Sequence, residues 1–274
     1  MIDSLRAFVV TPMPGTQLEA LCAGPVLQAG AVANDMSRTD AKTAAVISII
    51  ERLGHPSRAL VVGCGDGREA GVLARHFGAE TIGVDIEDDF VEADSAPARL
   101  QVMDAQHLDF ADGSFDLVYS FHALEHISDP RQAVREIHRV LAPGGAFVIG
   151  TPNKSRLVGY INSDAPVRDR IRWNVADLRA RAAGRWSNEA GAHAGFTAGE
   201  LMRLCATIGP VTDVAHAYYS ALYSSRRRLI DGMVQLRVAR LLFPAVYMAG
   251  RRSQEATRDG SPAGWNSPHG AAPS

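Results

Sequence analysis

A strand that runs straight into a glycine turn leaves a chain few folds to choose from. Here the apolar run 59–62 leads into Gly63-Cys64-Gly65-Asp66-Gly67, a helical pattern follows over residues 68–77, and a second apolar run, 81–84, closes on Asp85. Glycine in such a turn lets the backbone bend tightly and approach a ligand where a β-carbon would clash. An acid at the carboxyl end of the next strand is placed to accept hydrogen bonds from ribose hydroxyls. Strand, turn, helix and acid-tipped strand make half of a nucleotide-binding crevice in an α/β sheet. A dinucleotide fingerprint, Gly-x-Gly-x-x-Gly, differs from this turn by one residue, so the turn alone leaves dinucleotides and a plain strand-to-helix connection open.

The motifs downstream narrow the choice. Met103-Asp104-Ala105-Gln106 follows a third short apolar run, and residues 114–120 read as a fourth strand. Phe121 to Ile127 carries Glu125-His126, Asp129-Pro130 opens an amphipathic helix that ends near Leu141-Ala142-Pro143-Gly144-Gly145, and residues 146–150 read as a fifth strand running into Thr151-Pro152-Asn153. From residue 59 to 153, and more loosely to 252, the chain resembles the class I S-adenosylmethionine-dependent methyltransferases, in the broad subgroup acting mostly on small molecules.

The resemblance implies a doubly wound, seven-stranded, mostly parallel Rossmann-like sheet with an antiparallel last strand and helical insertions. It also implies S-adenosylmethionine as cofactor. Gly63, Cys64 and Gly65, with Gly67 closing the turn, are similar to the loop under the methionine part of the cofactor. Asp85 matches the ribose-binding acid, with Ile86 beside the adenine, and Asp104 and Ala105 match the pair that reads the adenine edge. Ser120 stands where the fourth strand borders the methionine moiety. One departure is Val61, two positions before the first glycine, where similar proteins commonly carry an acid.

Composition is ordinary for a soluble globular protein. The 274 residues carry 46% hydrophobic and 21% charged side chains with a net charge of −2, which gives no basic footprint for nucleic acid. Cys22, Cys64 and Cys205 lack metal-ligand spacing, so no metal site is expected, and reduced thiols point to a cytoplasmic setting. The start of the chain lacks the apolar core of a signal peptide. Residues 1–38 read as a lead-in or cap, 39–252 as the methyltransferase domain, and 253–274 as a disordered tail. A helix is expected over 39–53 and another over 197–208, where Thr197 and Glu200 have capping-box spacing. Strand six is expected over 211–219 and strand seven over 244–252. Two insertions, 154–196 and 220–243, are then left for substrate recognition. In the second, Leu229, Ile230, Met233, Val234, Leu241 and Leu242 form a stripe beside Arg226, Arg227, Arg228, Arg237 and Arg240. Such a helix can make peripheral membrane contact through 226–243, but the reading favoured is a helix covering the domain. The sequence leaves the oligomeric state open.

Methyl transfer needs alignment and, for an oxygen acceptor, removal of a proton. His126, His122 and His193 are the candidate bases: the first two follow strand four at the ligand-binding edge, and His193 sits in a glycine-bounded loop before a helix. The acceptor class expected is a small molecule, sugar or lipid-like compound. A cofactor-binding protein without turnover is the main alternative, and Val61 is the feature that favours it. A nucleotide-dependent oxidoreductase is the other; its Tyr-x-x-x-Lys dyad is absent, since neither Lys42 nor Lys154 follows a tyrosine by four residues.

Overall fold

The computed structural model describes residues 38–91, 95–160, 165–188 and 194–254. His193, nearly all of the lead-in and most of the expected tail lie outside the described residues. In chain order the elements are α1 (Arg38–Leu53), β1 (Arg58–Val62), α2 (Arg68–Phe77), β2 (Glu80–Asp85), β3 (Arg99–Val102), β4 (Phe115–Phe121), α3 (Pro130–Val140), β5 (Leu141–Pro152), α4 (Val167–Ala182), α5 (Ala198–Cys205), β6 (Val211–Asp213), α6 (Ala215–Leu222), α7 (Arg227–Gln235), α8 (Ala239–Leu242) and β7 (Ala245–Arg251). The seven strands form one sheet in the order β3-β2-β1-β4-β5-β7-β6. β7 pairs antiparallel with both β5 and β6, and the pairs among β1 to β5 are parallel.

Successive strand residues point to opposite faces, and both faces of this sheet are covered, so the central strands are apolar throughout. Ala59, Val61, Leu117, Tyr119, Val148 and Tyr247 join one core with residues of α1, α2, α6 and α7. Leu60, Val62, Val118, Phe147, Ile149 and Met248 join the other with residues of α3 and α5. Asp129 starts α3 by accepting hydrogen bonds from the backbone N–H groups of Arg131 and Gln132, with Pro130 in the first turn. The capping box at α5 forms: Thr197 Oγ1 accepts from Glu200 N–H at 3.2 Å, and Glu200 Oε2 accepts from Thr197 N–H at 2.8 Å.

Three elements differ from expectation. Strand five is longer than 146–150: Leu141 already pairs with Phe115 of β4, ahead of a register shift that sets Ala146 opposite Leu117. Strand six stops at Asp213 rather than residue 219. Asp213 Oδ1 accepts from Ala215 N–H at 2.9 Å in a turn two residues long, and α6 follows, carrying Tyr218 and Tyr219 onto the sheet face. The second insertion is not a single helix: α7 and α8 are separated near Arg237, whose φ is 57°. Ile230 is buried in the core and Met233 packs against it, so the stripe covers the domain in part, while Leu229, Val234 and Leu236 face outward.

Candidate active site

The strand order reverses between β1 and β4, and the crevice beyond the carboxyl ends at such a switch point is where ligands bind in open α/β sheets. The two loops that leave these strands meet there. Gly63 has φ 73°, and a β-carbon on it would lie 2.2 Å from Ala123 Cβ, so the β1 turn packs directly on the β4 turn. Gly63 and Cys64 donate their N–H groups to Val84 O at 2.8 and 3.1 Å, tying the turn to β2. Gly65 N–H donates to Asp85 Oδ2 at 2.7 Å, and Glu87 N–H reaches Asp85 Oδ1 at 3.3 Å. Among the described residues, nothing lies within 4 Å of the place a β-carbon on Gly65 would take. Gly67 instead presses against Leu100 and Ser95 and shapes the turn from behind.

Ile86 is 68% exposed beside Asp85, an apolar platform at the crevice rim. Met103 N–H donates to Asp85 O at 2.7 Å, which brings Asp104 and Ala105 to the same rim. Asp104 Oδ1 accepts from Gln106 N–H at 2.8 Å, and that backbone hydrogen bond is the main cause holding the Asp104 carboxyl below its ordinary range. Ser120 is buried at the end of β4, and its hydroxyl has no hydrogen-bond partner among the described residues. Burial, followed by the charge of Asp85, pushes the Cys64 thiol up to about 12, so it stays protonated and serves as packing.

Beyond β4, His122 adopts φ 55°, a strained conformation for a residue with a side chain, and its N–H donates to Gly150 O at 3.0 Å. This turn aims the His122 ring at Glu125, whose side chain is almost fully buried: Nδ1 lies 3.1 Å from Glu125 Oε1. A carboxylate only accepts, so Nδ1 is the donor of this pair, and in the neutral ring Nε2 is the nitrogen with the lone pair. His126 Nε2 is 3.9 Å from the same Glu125 oxygen. Glu125 Oε2 has no partner among the described residues. The His122 ring packs on Phe121 at 3.9 Å between centroids, and Phe121 stacks on Tyr247, which stacks on Tyr218. Ala194, the residue after His193, is buried, and Phe196 N–H donates to Pro152 O at the end of β5, on the same sheet edge.

One acid escaped the sequence reading. Glu69, in the first turn of α2, is half-buried; burial raises its carboxyl pKa, with the Tyr119 hydroxyl and the His122 and Lys42 charges acting in the opposite sense. Its place right after the glycine turn was the available signal, but an acid in a first helical turn reads equally well as a partner of the helix dipole.

Residues 60–149 match the family described as a methyltransferase domain. These residues form a methyltransferase domain, in line with the resemblance to the class I S-adenosylmethionine-dependent methyltransferases. Tocopherol O-methyltransferase, chloroplastic, of Arabidopsis thaliana is 42% identical over 99 residues, which are 33% of this chain and 28% of that protein. The 2-methyl-6-phytyl-1,4-hydroquinone methyltransferase of Synechocystis sp. is 33% identical over 111 residues, 38% of this chain and 35% of that protein. This methyltransferase chain spans about a third of the length of the curated relatives it matches. Among solved structures, phosphoethanolamine N-methyltransferase 2 of Haemonchus contortus, in complex with S-adenosyl-L-methionine, is 20% identical with a TM-score of 0.49, covering 76% of this chain and 52% of that one. The crevice fits S-adenosylmethionine: an open glycine backbone at Gly65, an acid and an apolar platform at Asp85 and Ile86, and a buried hydroxyl at Ser120 with no partner among the described residues.

Proposed function

We propose that this methyltransferase transfers the methyl group of S-adenosylmethionine to the oxygen of a small amphipathic phenol or hydroquinone. The observation that carries the reading is the His122–Glu125 pair at 3.1 Å, set at the ligand-binding edge against an aromatic stack. The bound sulfonium supplies an electrophilic methyl group, which leaves the protein to align, desolvate and deprotonate the acceptor. His122 Nε2 accepts the phenolic proton as the oxygen attacks, and Glu125 stabilises the imidazolium that forms. Asp85 and Asp104 hold the ribose and adenine side, and the open backbone of Gly65 lies along the cofactor. The similarity to a tocopherol and a phytyl-hydroquinone methyltransferase supports a phenolic acceptor with an apolar tail.

Transfer of tritium from methyl-labelled S-adenosylmethionine to a panel of phenols, hydroquinones, amines and sugars tests this. Label is expected in the phenols and hydroquinones, most strongly in those with an apolar tail. Label confined to amines or sugars would overturn the acceptor class, and no label in any acceptor alongside tight cofactor binding would favour the binding-protein reading.

Val61 is buried in the core and offers no polar atom to the cofactor's ammonium group. Glu69 supplies the carboxylate in its place under this proposal. Glu69→Gln is then expected to weaken S-adenosylmethionine binding about tenfold, the loss of one charge-assisted hydrogen bond. It should leave binding of 5′-methylthioadenosine, which has no amino-acid group, unchanged. Equal weakening of both ligands in calorimetry would assign Glu69 to the fold instead.

A further inference from the structure

Helix α4 turns polar side chains toward the protein and leaves apolar ones uncovered. Its polar side faces the protein: Asn174 Oδ1 accepts from Gly159 N–H at 2.6 Å, Asn174 Nδ2 donates to Gly159 O at 3.1 Å, and Asp177 pairs with the buried Arg156 at 3.3 Å. Its apolar side faces out. Val167, Ile171, Val175 and Leu178 recur at spacings of four, four and three residues, which places them along one stripe. They are 60%, 59%, 42% and 63% exposed, and no residue of the helix is buried. A surface helix normally buries such a stripe, so this one is built to meet an apolar environment outside the described fold.

The stripe does not stand alone. The loop that α4 holds carries Leu157 and Val158, both exposed, and Leu157 N–H donates to Leu241 O of α8 at 2.8 Å. Asn153 Nδ2 also donates to Arg240 O and Phe243 O at 2.8 Å each. The surface therefore continues from α4 across this loop to α8 and α7, where Leu229 and Leu236 are exposed together with Arg226, Arg227, Arg228, Arg237 and Arg240. Segments 154–188 and 220–243 hold 13 Lys and Arg against 4 Asp and no Glu, in a chain whose net charge is −2. Positive charge is thus concentrated on the same elements that expose apolar side chains. They sit where β5 ends and β7 begins, on the sheet edge that holds the crevice.

We propose that α4, the 154–160 loop, α7 and α8 form a docking surface for an anionic lipid bilayer. Arginines meet the headgroups while the outward leucines, valines and isoleucine enter the interface. Nucleic acid would match the charge but not the apolar stripe, and a purely apolar partner would match the stripe but not the arginines. Among the described residues no helix is long and apolar enough to cross a membrane, so the contact is peripheral. The inference concerns a surface outside the cofactor crevice and stands apart from the choice of methyl acceptor. It would also present the crevice edge to a lipid-dissolved substrate.

The test is co-sedimentation of the full chain with phosphatidylcholine vesicles and with vesicles of equal parts phosphatidylcholine and phosphatidylglycerol. Binding is expected to the anionic vesicles only, and to weaken as salt screens the arginines. Ile171→Glu with Leu178→Glu, and separately Arg226→Ala with Arg227→Ala and Arg228→Ala, should each lower the bound fraction on the order of tenfold or more. All of these side chains are exposed, and S-adenosylmethionine affinity in the variants, read by calorimetry, should stay unchanged. Wild-type protein that ignores anionic vesicles would overturn the proposal. So would vesicle binding unaltered by either set of substitutions, or a dimer that Leu178→Glu dissociates in the absence of lipid while vesicle binding stays as in the wild type.

Discussion

His122→Ala is expected to lower turnover on the order of 10²–10⁴-fold while leaving S-adenosylmethionine affinity nearly intact. The size of the loss follows from what the residue does rather than from its burial. The strained turn at φ 55° holds the ring over the edge of β4, and Glu125 fixes the tautomer that leaves Nε2 open. Under the proposed mechanism a base held this way removes the acceptor proton in the transition state, an interaction that contributes to turnover and not to cofactor binding. Glu125→Gln keeps the shape of the buried side chain but cannot stabilise an imidazolium, so it should lower turnover by a smaller factor with the same unchanged affinity. His126→Ala is the comparison, because its Nε2 lies 3.9 Å from the Glu125 oxygen against 3.1 Å for His122 Nδ1. Initial rates with the best acceptor and a cofactor titration of each variant separate these effects. A His126→Ala loss larger than that of His122→Ala would move the base to His126, and full activity in both would mean an acceptor that needs no base.

Asp85→Ala is expected to weaken S-adenosylmethionine binding about tenfold to 10²-fold. A carboxylate accepting hydrogen bonds from two ribose hydroxyls contributes roughly 1.5–3 kcal/mol per bond when each acts alone, and less than the sum when one side chain makes both. The same oxygen atoms also hold the loop: Asp85 Oδ2 accepts from Gly65 N–H. Removing the side chain therefore loosens the turn that faces the cofactor as well as the direct contacts. Asp85→Asn preserves the shape and an acceptor oxygen, so it should fall between the wild type and Asp85→Ala. Equal losses for Asn and Ala would assign the effect to charge alone.

Much of this was legible in the sequence, for identifiable reasons. β1, α2 and β2 are short elements whose bounds are marked by glycines and an acid, and the helix at Arg68–Phe77 falls where periodicity put it. Thr197 and Glu200 announced the start of α5 because a capping box is a local interaction. Strand six was misread beyond Asp213 because Tyr218 and Tyr219 favour strands on their own, while stacking of Tyr218 on Tyr247, a contact made across the fold, holds them in a helix. The His122–Glu125 pair was hidden for a similar reason. A histidine three residues before a glutamate carries little information until a positive φ turns one ring toward one carboxylate. Helix α4 lay inside the insertion 154–196, which was read only as a segment for substrate recognition, and its bonds to the 156–160 loop are what show which side is turned inward.

The measurement that bears most directly on the central claim is a calorimetric titration of the full chain with S-adenosylmethionine and, in parallel, with a nicotinamide dinucleotide. The crevice of Gly63, Gly65, Asp85 and Asp104 predicts saturable one-to-one binding of S-adenosylmethionine, weakened in Asp85→Ala, and no saturable heat from the dinucleotide. Preference for the dinucleotide, or S-adenosylmethionine binding that Asp85→Ala leaves unchanged, would contradict the account.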